Sequence, residues 1–205
     1  MSYPCVDPDH FVVDGDGALS PQPYAQWRHV ATNSAGSVQK SYNTNGGNQA
    51  EDLVNFQVAW TNPGPMSMLT YALVTRGGAS VKTGTRTRAY IAMYYGQASG
   101  VSPADPTAST LLGRMGSGLD GSTYTSGSTT YARWGTTEVR QAEHSLLVGP
   151  FVTLAPGQSL KTRIRLRWDA DFWETLTYLV SGSGEAELAV MTGPTRLDLY
   201  AIPII

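Results

Sequence analysis

The stretch SLKTRIRLRW, residues 159–168, alternates without a break. Leu160, Thr162, Ile164, Leu166 and Trp168 fall on one side of an extended chain; Lys161, Arg163, Arg165 and Arg167 fall on the other. A helix would scatter both sets around its axis. A strand, whose side chains repeat every second residue, separates them. Such a strand sits in a sheet with one face on a core. The same period recurs in LVNFQVAWT (53–61), where Leu53, Asn55, Gln57 and Ala59 oppose Val54, Phe56, Val58 and Trp60. It recurs in RTRAYIAMYY (86–95), where Ala89, Ile91, Met93 and Tyr95 oppose Arg88, Tyr90, Ala92 and Tyr94. SMLTYALVTR (67–76) reads as the return strand after the turn TNPGP (61–65). Short strands are expected at TLTYLV (175–180), AELAVM (186–191) and RLDLYAI (196–202), separated by SGSGE (181–185) and TGP (192–194).

The best helix candidate is TTEVRQAEHSLLVG (136–149). Its Val139, Ala142, Leu146 spacing is weak, and a strand from Leu146 to Thr153 competes for it. With 22 Gly and 12 Pro to make turns and only 15% charged residues, the chain suits short strands better than a helical bundle. Its 205 residues suit one domain able to bury about 70% of its unfolded surface. The expected fold is all-β: one antiparallel β-sandwich, jelly-roll-like, spanning 1–205. Residues 96–135 form a long Gly/Ser/Thr-rich excursion within it, an extended loop or an arm that packs on a neighbour. Leu111, Leu112, Met115, Leu119, Tyr124, Tyr131 and Trp134 keep that stretch from being a plain linker.

FVVDGDGALS (11–20) raises the question of calcium. With Asp14 as the first ligand of an EF-hand loop, Asp16 is third, but the fifth position is Ala18 and the sixth Leu19. A hairpin explains the stretch better, because Asp-Gly tolerates the positive φ of primed turns and the flanking apolar runs can pair.

The search for chemistry returns little. P-loop, G-x-S-x-G, G-x-G-x-x-G and H-E-x-x-H motifs are absent, and His10, His29 and His144 are isolated, so no catalytic residue, metal or cofactor is expected. Asp169, Asp171 and Glu174 could serve as a glycosidase pair at the right separation, or simply balance the neighbouring arginines. Cys5 is the only cysteine, which excludes an internal disulfide. MSYPCVDPDHF has neither the basic start nor the apolar core of a signal peptide, and no run approaches a membrane span. A net charge of −2 supplies no global field for nucleic acid. Synthesis in the cytoplasm is expected, with neither membrane nor nucleic acid as partner.

Two surface features remain. Lys161, Arg163, Arg165 and Arg167 are candidates for contact with a partner protein or an anion, or form a solvated strand face. Only three of the 14 cationic residues are Lys (40, 82 and 161), and Arg is the cation favoured in interfaces. Among the aromatics, Trp60 and Trp168 fall on core phases. Trp134, with Tyr124 and Tyr131, is the candidate for stacking on a glycan or on another subunit.

Several elements resemble the minor tail proteins of tailed phages that infect actinobacteria: Asp16-Gly17-Ala18-Leu19, Pro23-Tyr24, Arg28-His29-Val30, Trp60-Thr61-Asn62 and Leu73-Val74-Thr75-Arg76-Gly77. VGPFVTLAPGQSLKTRIRLRW (148–168) fits the same plan of strand, Pro-Gly turn and strand. The resemblance implies a non-enzymatic virion component of the tail tip or baseplate. It would be homo-oligomeric, with a trimer favoured, and would contact other virion proteins. A capsid decoration protein and a carbohydrate-binding module that recognises host cell-wall glycan stand as alternatives.

Overall fold

The computed structural model describes residues 11–13, 19–21, 26–43, 49–83, 87–117, 123–126, 129–132, 137–172 and 187–204. Among them are sixteen strands and no helix. They are β1 (Phe11–Val13), β2 (Leu19–Pro21), β3 (Arg28–Ala35), β4 (Val38–Asn43), β5 (Gln49–Thr61), β6 (Met68–Arg76), β7 (Ala79–Thr83) and β8 (Thr87–Gly100). β9 (Thr110–Ser117), β10 (Thr123–Ser126), β11 (Thr129–Ala132), β12 (Thr137–Gln141), β13 (His144–Leu154), β14 (Ser159–Phe172), β15 (Glu187–Thr192) and β16 (Thr195–Pro203) follow.

Three four-stranded sheets carry the fold, ordered β12-β7-β15-β4, β13-β6-β16-β3 and β5-β14-β8-β9. The first two are halves of one bent sheet. β3 continues into β4 through Gly36-Ser37, β6 into β7 through Gly77-Gly78, β12 into β13 through Ala142-Glu143, and β15 into β16 through Gly193-Pro194. The strand order is the same on both sides of the bend. The described residues of these three sheets therefore form eight long antiparallel strands, and their pairing is nested. The first (β3–β4) lies beside the last (β15–β16), β5 beside β14, β6–β7 beside β12–β13, and β8 beside β9. That order is a jelly roll.

The alternation in 159–168 sets the inner surface. Leu160, Ile164, Leu166 and Trp168 on β14 are fully buried against Val74 and Val81, Val148, and Leu197 and Leu199 of the bent sheet. Each such side chain contributes about 1.5–3 kcal/mol. The bend is held by close backbone packing. Gly77 N–H donates to the Pro194 carbonyl at 2.7 Å, and Gly193 N–H to the Gly78 carbonyl at 2.7 Å.

Asn62 ties the two sheets together at the far end, where it is buried. Its Nδ2 donates to the carbonyls of Met66 (2.8 Å) and Leu154 (3.0 Å), and its Oδ1 accepts from Gly64 N–H (3.1 Å). Its backbone bonds the 155–158 turn through Gln158 O and Gly157 N. Asn62→Ala leaves these groups short of partners and should lower stability by about 3 kcal/mol. On a chain of this size that is a drop in Tm of about 6–12 °C, read by circular dichroism. Asn62→Asp, which keeps the shape but loses both donors, should be at least as damaging.

Of the two readings weighed for 136–149 the strand holds: Thr137–Gln141 and His144–Leu154 are strands, with Val139 paired to Val81 and Leu146 to Val74. Other expectations are corrected. TNPGP does not close a hairpin: β5 pairs with β14 and β6 with β13 and β16, so the turn arches between sheets. Within 96–135, residues 96–100 finish β8 and Thr110–Ser117 is an edge strand of the main sheet. The hairpin expected in FVVDGDGALS is present as the pairs Phe11↔Pro21, Val12↔Ser20 and Val13↔Leu19, with its turn outside the described residues. The strand expected at 175–180 also lies outside them.

Candidate functional site

β14 presents its four cations on the outer face of the β5-β14-β8-β9 sheet. Register sets Lys161 between Ala59 and Ala98, Arg163 between Gln57 and Gly96, Arg165 between Asn55 and Tyr94, and Arg167 between Asp52 and Ala92. None of the four stands free in solvent. Lys161 Nζ donates to Asp105 Oδ1 at 2.8 Å, and Gln57 Nε2 donates to the same oxygen at 3.2 Å. Arg163 Nη2 donates to Gln57 Oε1 at 3.1 Å, which closes a chain of four side chains. The Arg165 guanidinium lies 5.0 Å from the centre of the Tyr94 ring, and Arg114 of β9 lies 5.9 Å from that of Tyr90. Arg167 Nε donates to Asp169 Oδ1 at 3.4 Å. The Nε groups of Arg163 and Arg165 are covered and have no acceptor within hydrogen-bond distance; Arg165 Nε lies 4.0 Å from Asp52 Oδ1.

Asp105 reaches this face because the 101–109 loop folds back onto it. A Cβ on Gly96 would fall on the Thr107 carbonyl, so only glycine lets the loop lie there. The hydrogen bond from Lys161, and then that from Gln57, hold the Asp105 carboxyl below the usual carboxylate range. With the folded value depressed, the latch is fully present above the ordinary carboxylate pKa of about 3.9 and is lost as pH falls through the lower folded value. NMR signals of the loop should therefore be unchanged between pH 7 and 5 and move only below about 3.9.

The second surface was missed in the sequence: the outer face of β13-β6-β16-β3. Tyr71 stands at its centre. Tyr200 stacks on it with ring centroids 5.0 Å apart and planes at 13°. Trp27 meets it edge-on at 4.8 Å, and Phe151 lies 5.5 Å away. Phe151 reaches this position through a bulge, since Val148 pairs with Ala72 and Val152 with Thr70, so three residues oppose Tyr71 alone. Burial, and after it the neighbouring Tyr200, push the Tyr71 hydroxyl pKa up. Around this cluster Leu147 is 53% exposed, Phe151 51% and Trp27 40%. Leu69 and Leu73 share the outward side with Tyr71, because inward positions on β6 belong to Thr70, Ala72 and Val74. The polar element here is Asp198, itself buried, which accepts from Arg196 Nε at 2.7 Å and lies 3.0 Å from His29 Nε2.

Of the aromatic candidates, Tyr124 and Tyr131 are cross-strand partners in the β10-β11 hairpin. Their side chains, and Trp134 altogether, lie outside the described residues. So do Glu174 and the Asp171 side chain. Among the described residues, no three His, Cys, Asp or Glu side chains gather as a metal site.

This is an all-β jelly roll whose two outer faces differ in chemistry, one cationic and one aromatic. A family model described as "Domain of unknown function (DUF7172)" matches residues 1–205, and the chain belongs to that family. No curated protein matches it. Among solved structures it is similar to a chain of the infectious bursal disease virus Gt strain, at 10% identity and a TM-score of 0.22, covering 100% of this chain and 47% of that one. A chain of the Gx strain gives 9% identity, 100% and 47% coverage and a TM-score of 0.21. A chain of the T13 IBDV viral particle gives 9%, 94% and 43%, and 0.22. This chain spans about half the length of those it matches. Superpositions this loose carry no weight for function.

Proposed function

We propose that this chain is a structural, non-enzymatic virion subunit of a tailed phage, a minor tail or baseplate component that assembles through its outer sheet faces. The observation that carries this reading is the Tyr71 cluster. An outer sheet face with Tyr71, Leu69, Leu73, Leu147, Phe151 and Trp27 on it is an interaction surface in a soluble protein. The elements that resemble phage minor tail proteins supply the setting, and jelly rolls are common among virus capsid domains, which is an analogy of fold.

The occupant of the aromatic face is a second copy of the chain, presenting its Arg163–Arg167 face. Arg is weakly hydrated and stacks on aromatic rings, so it suits a surface of Tyr, Trp and Phe. Four strands at about 4.8 Å spacing and some six residues of length give a patch of about 400 Å². That is half of the roughly 800 Å² per partner of a stable interface, so each subunit needs to use both faces. A face meeting a different face is a head-to-tail contact, which gives a ring such as a trimer where the rotation between copies closes and a filament where it does not. Cross-linking engineered cysteines at Leu147 and Arg163 tests the pairing. Bonds between copies joining position 147 to 163 are expected; bonds joining 147 only to 147 would sink the head-to-tail reading.

A further inference from the structure

Arg76 is a cation inside the sandwich. It ends β6, opposite Thr195 on one side and His144 on the other, and is 3% exposed. Its Nη2 donates to Gln141 Oε1 at 2.6 Å and lies 3.5 Å from His144 Nδ1, and its Nη1 lies 3.7 Å from Met115 Sδ. Its Nε has no acceptor. Among the described residues, no carboxylate makes an ion pair with it. Burial lowers the guanidinium pKa, yet arginine keeps its proton in proteins. A buried charge with no counter-charge carries a penalty of several kcal/mol.

Beside Arg76 lies a cleft of about 160 Å³ that opens between β9 and β13. Arg114 and His144 line it, and Ile91, Met93, Met115 and Leu146 form apolar walls. At about 30 Å³ per water it has room for a molecule of some five or six heavy atoms.

We propose that this cleft binds a small monocarboxylate. The carboxylate lies against the Arg76 guanidinium at the cleft wall and supplies the counter-charge that the described residues do not. A short alkyl tail lies on Ile91, Met93 and Leu146. Phosphate fits less well, because its heavier hydration is stripped against apolar walls.

Calorimetric titration of the full chain with butyrate, with neutral butyramide and with inorganic phosphate tests this. Saturable one-site binding of butyrate is expected, at least tenfold tighter than either control. Arg76→Met replaces the buried charge by an apolar chain of similar length and should fold, since such exchanges are often neutral or stabilising; its butyrate affinity should fall at least tenfold. Leu146→Trp, which fills the cleft and leaves Arg76 in place, should block butyrate as well and decides the matter if the first variant does not fold. Absence of butyrate binding to the native chain would overturn the proposal. So would equal binding of butyramide or phosphate, or undiminished affinity in both variants.

Discussion

Gly77→Val should cost the chain about 3 kcal/mol and lower its Tm by about 6–12 °C. The physical reason is the row of bends that turns one long sheet into two halves. A Cβ at position 77 would stand 2.9 Å from Pro194 Cδ, 3.0 Å from Gly193 Cα and 3.1 Å from Pro194 N. A Cβ at position 193 would in turn meet the Gly77 backbone at 3.0 Å. Nothing flexible yields there, because the neighbours are backbone and a proline ring, and the two carbonyl bonds across the bend fix their separation. Gly36, whose own Cβ would meet nothing within 4 Å, is the control in the same row of bends. Gly36→Ala should leave the melting curve within about 2 °C of the parent. If the two variants melt alike, the tight bend is not what holds the halves.

Glutamates placed on either outer face should break the assembly into 22.0 kDa subunits. Leu147→Glu with Phe151→Glu places two carboxylates where Tyr71 and Trp27 meet the next copy. Like many substitutions of exposed residues, the pair should change stability little, within about 1 kcal/mol. Arg163→Glu with Arg165→Glu disables the opposite face. The two double variants differ in which face survives. Mixed at high concentration, each offers the face the other lacks, so a head-to-tail contact predicts a weak, concentration-dependent species of twice 22.0 kDa and nothing larger. A symmetric contact through the aromatic face alone predicts that the Arg163, Arg165 variant still pairs with itself. Sedimentation velocity on the mixture separates the outcomes.

Strand phase was legible in the sequence because it is a local property. Leu160, Ile164, Leu166 and Trp168 are buried as the alternation dictates, and Lys161, Arg163, Arg165 and Arg167 point outward. Partner choice was not legible. β3 pairs with β16 across some 160 residues, and nothing in either segment names the other. For the same reason TNPGP read as a hairpin turn: a tight turn looks the same whether the strands return to one sheet or cross to another. The aromatic face left a usable signal. MLTYALV (68–74) is apolar at both phases, Leu69, Tyr71 and Leu73 as well as Ala72 and Val74. A strand apolar on both sides implies cover on both sides. Arg76 left none, since a basic residue ahead of Gly77-Gly78 reads as an exposed strand end. The Asn62 hub showed only as part of a turn.

The whole account rests on the claim that the Tyr71 surface is covered by another copy. Light scattering of the purified full chain, coupled to size exclusion and run over a hundredfold range of concentration, measures this directly. The expected mass is a whole-number multiple of 22.0 kDa, three in the favoured ring, with Trp27 fluorescence shifted on dissociation. A mass of 22.0 kDa at every concentration would contradict it.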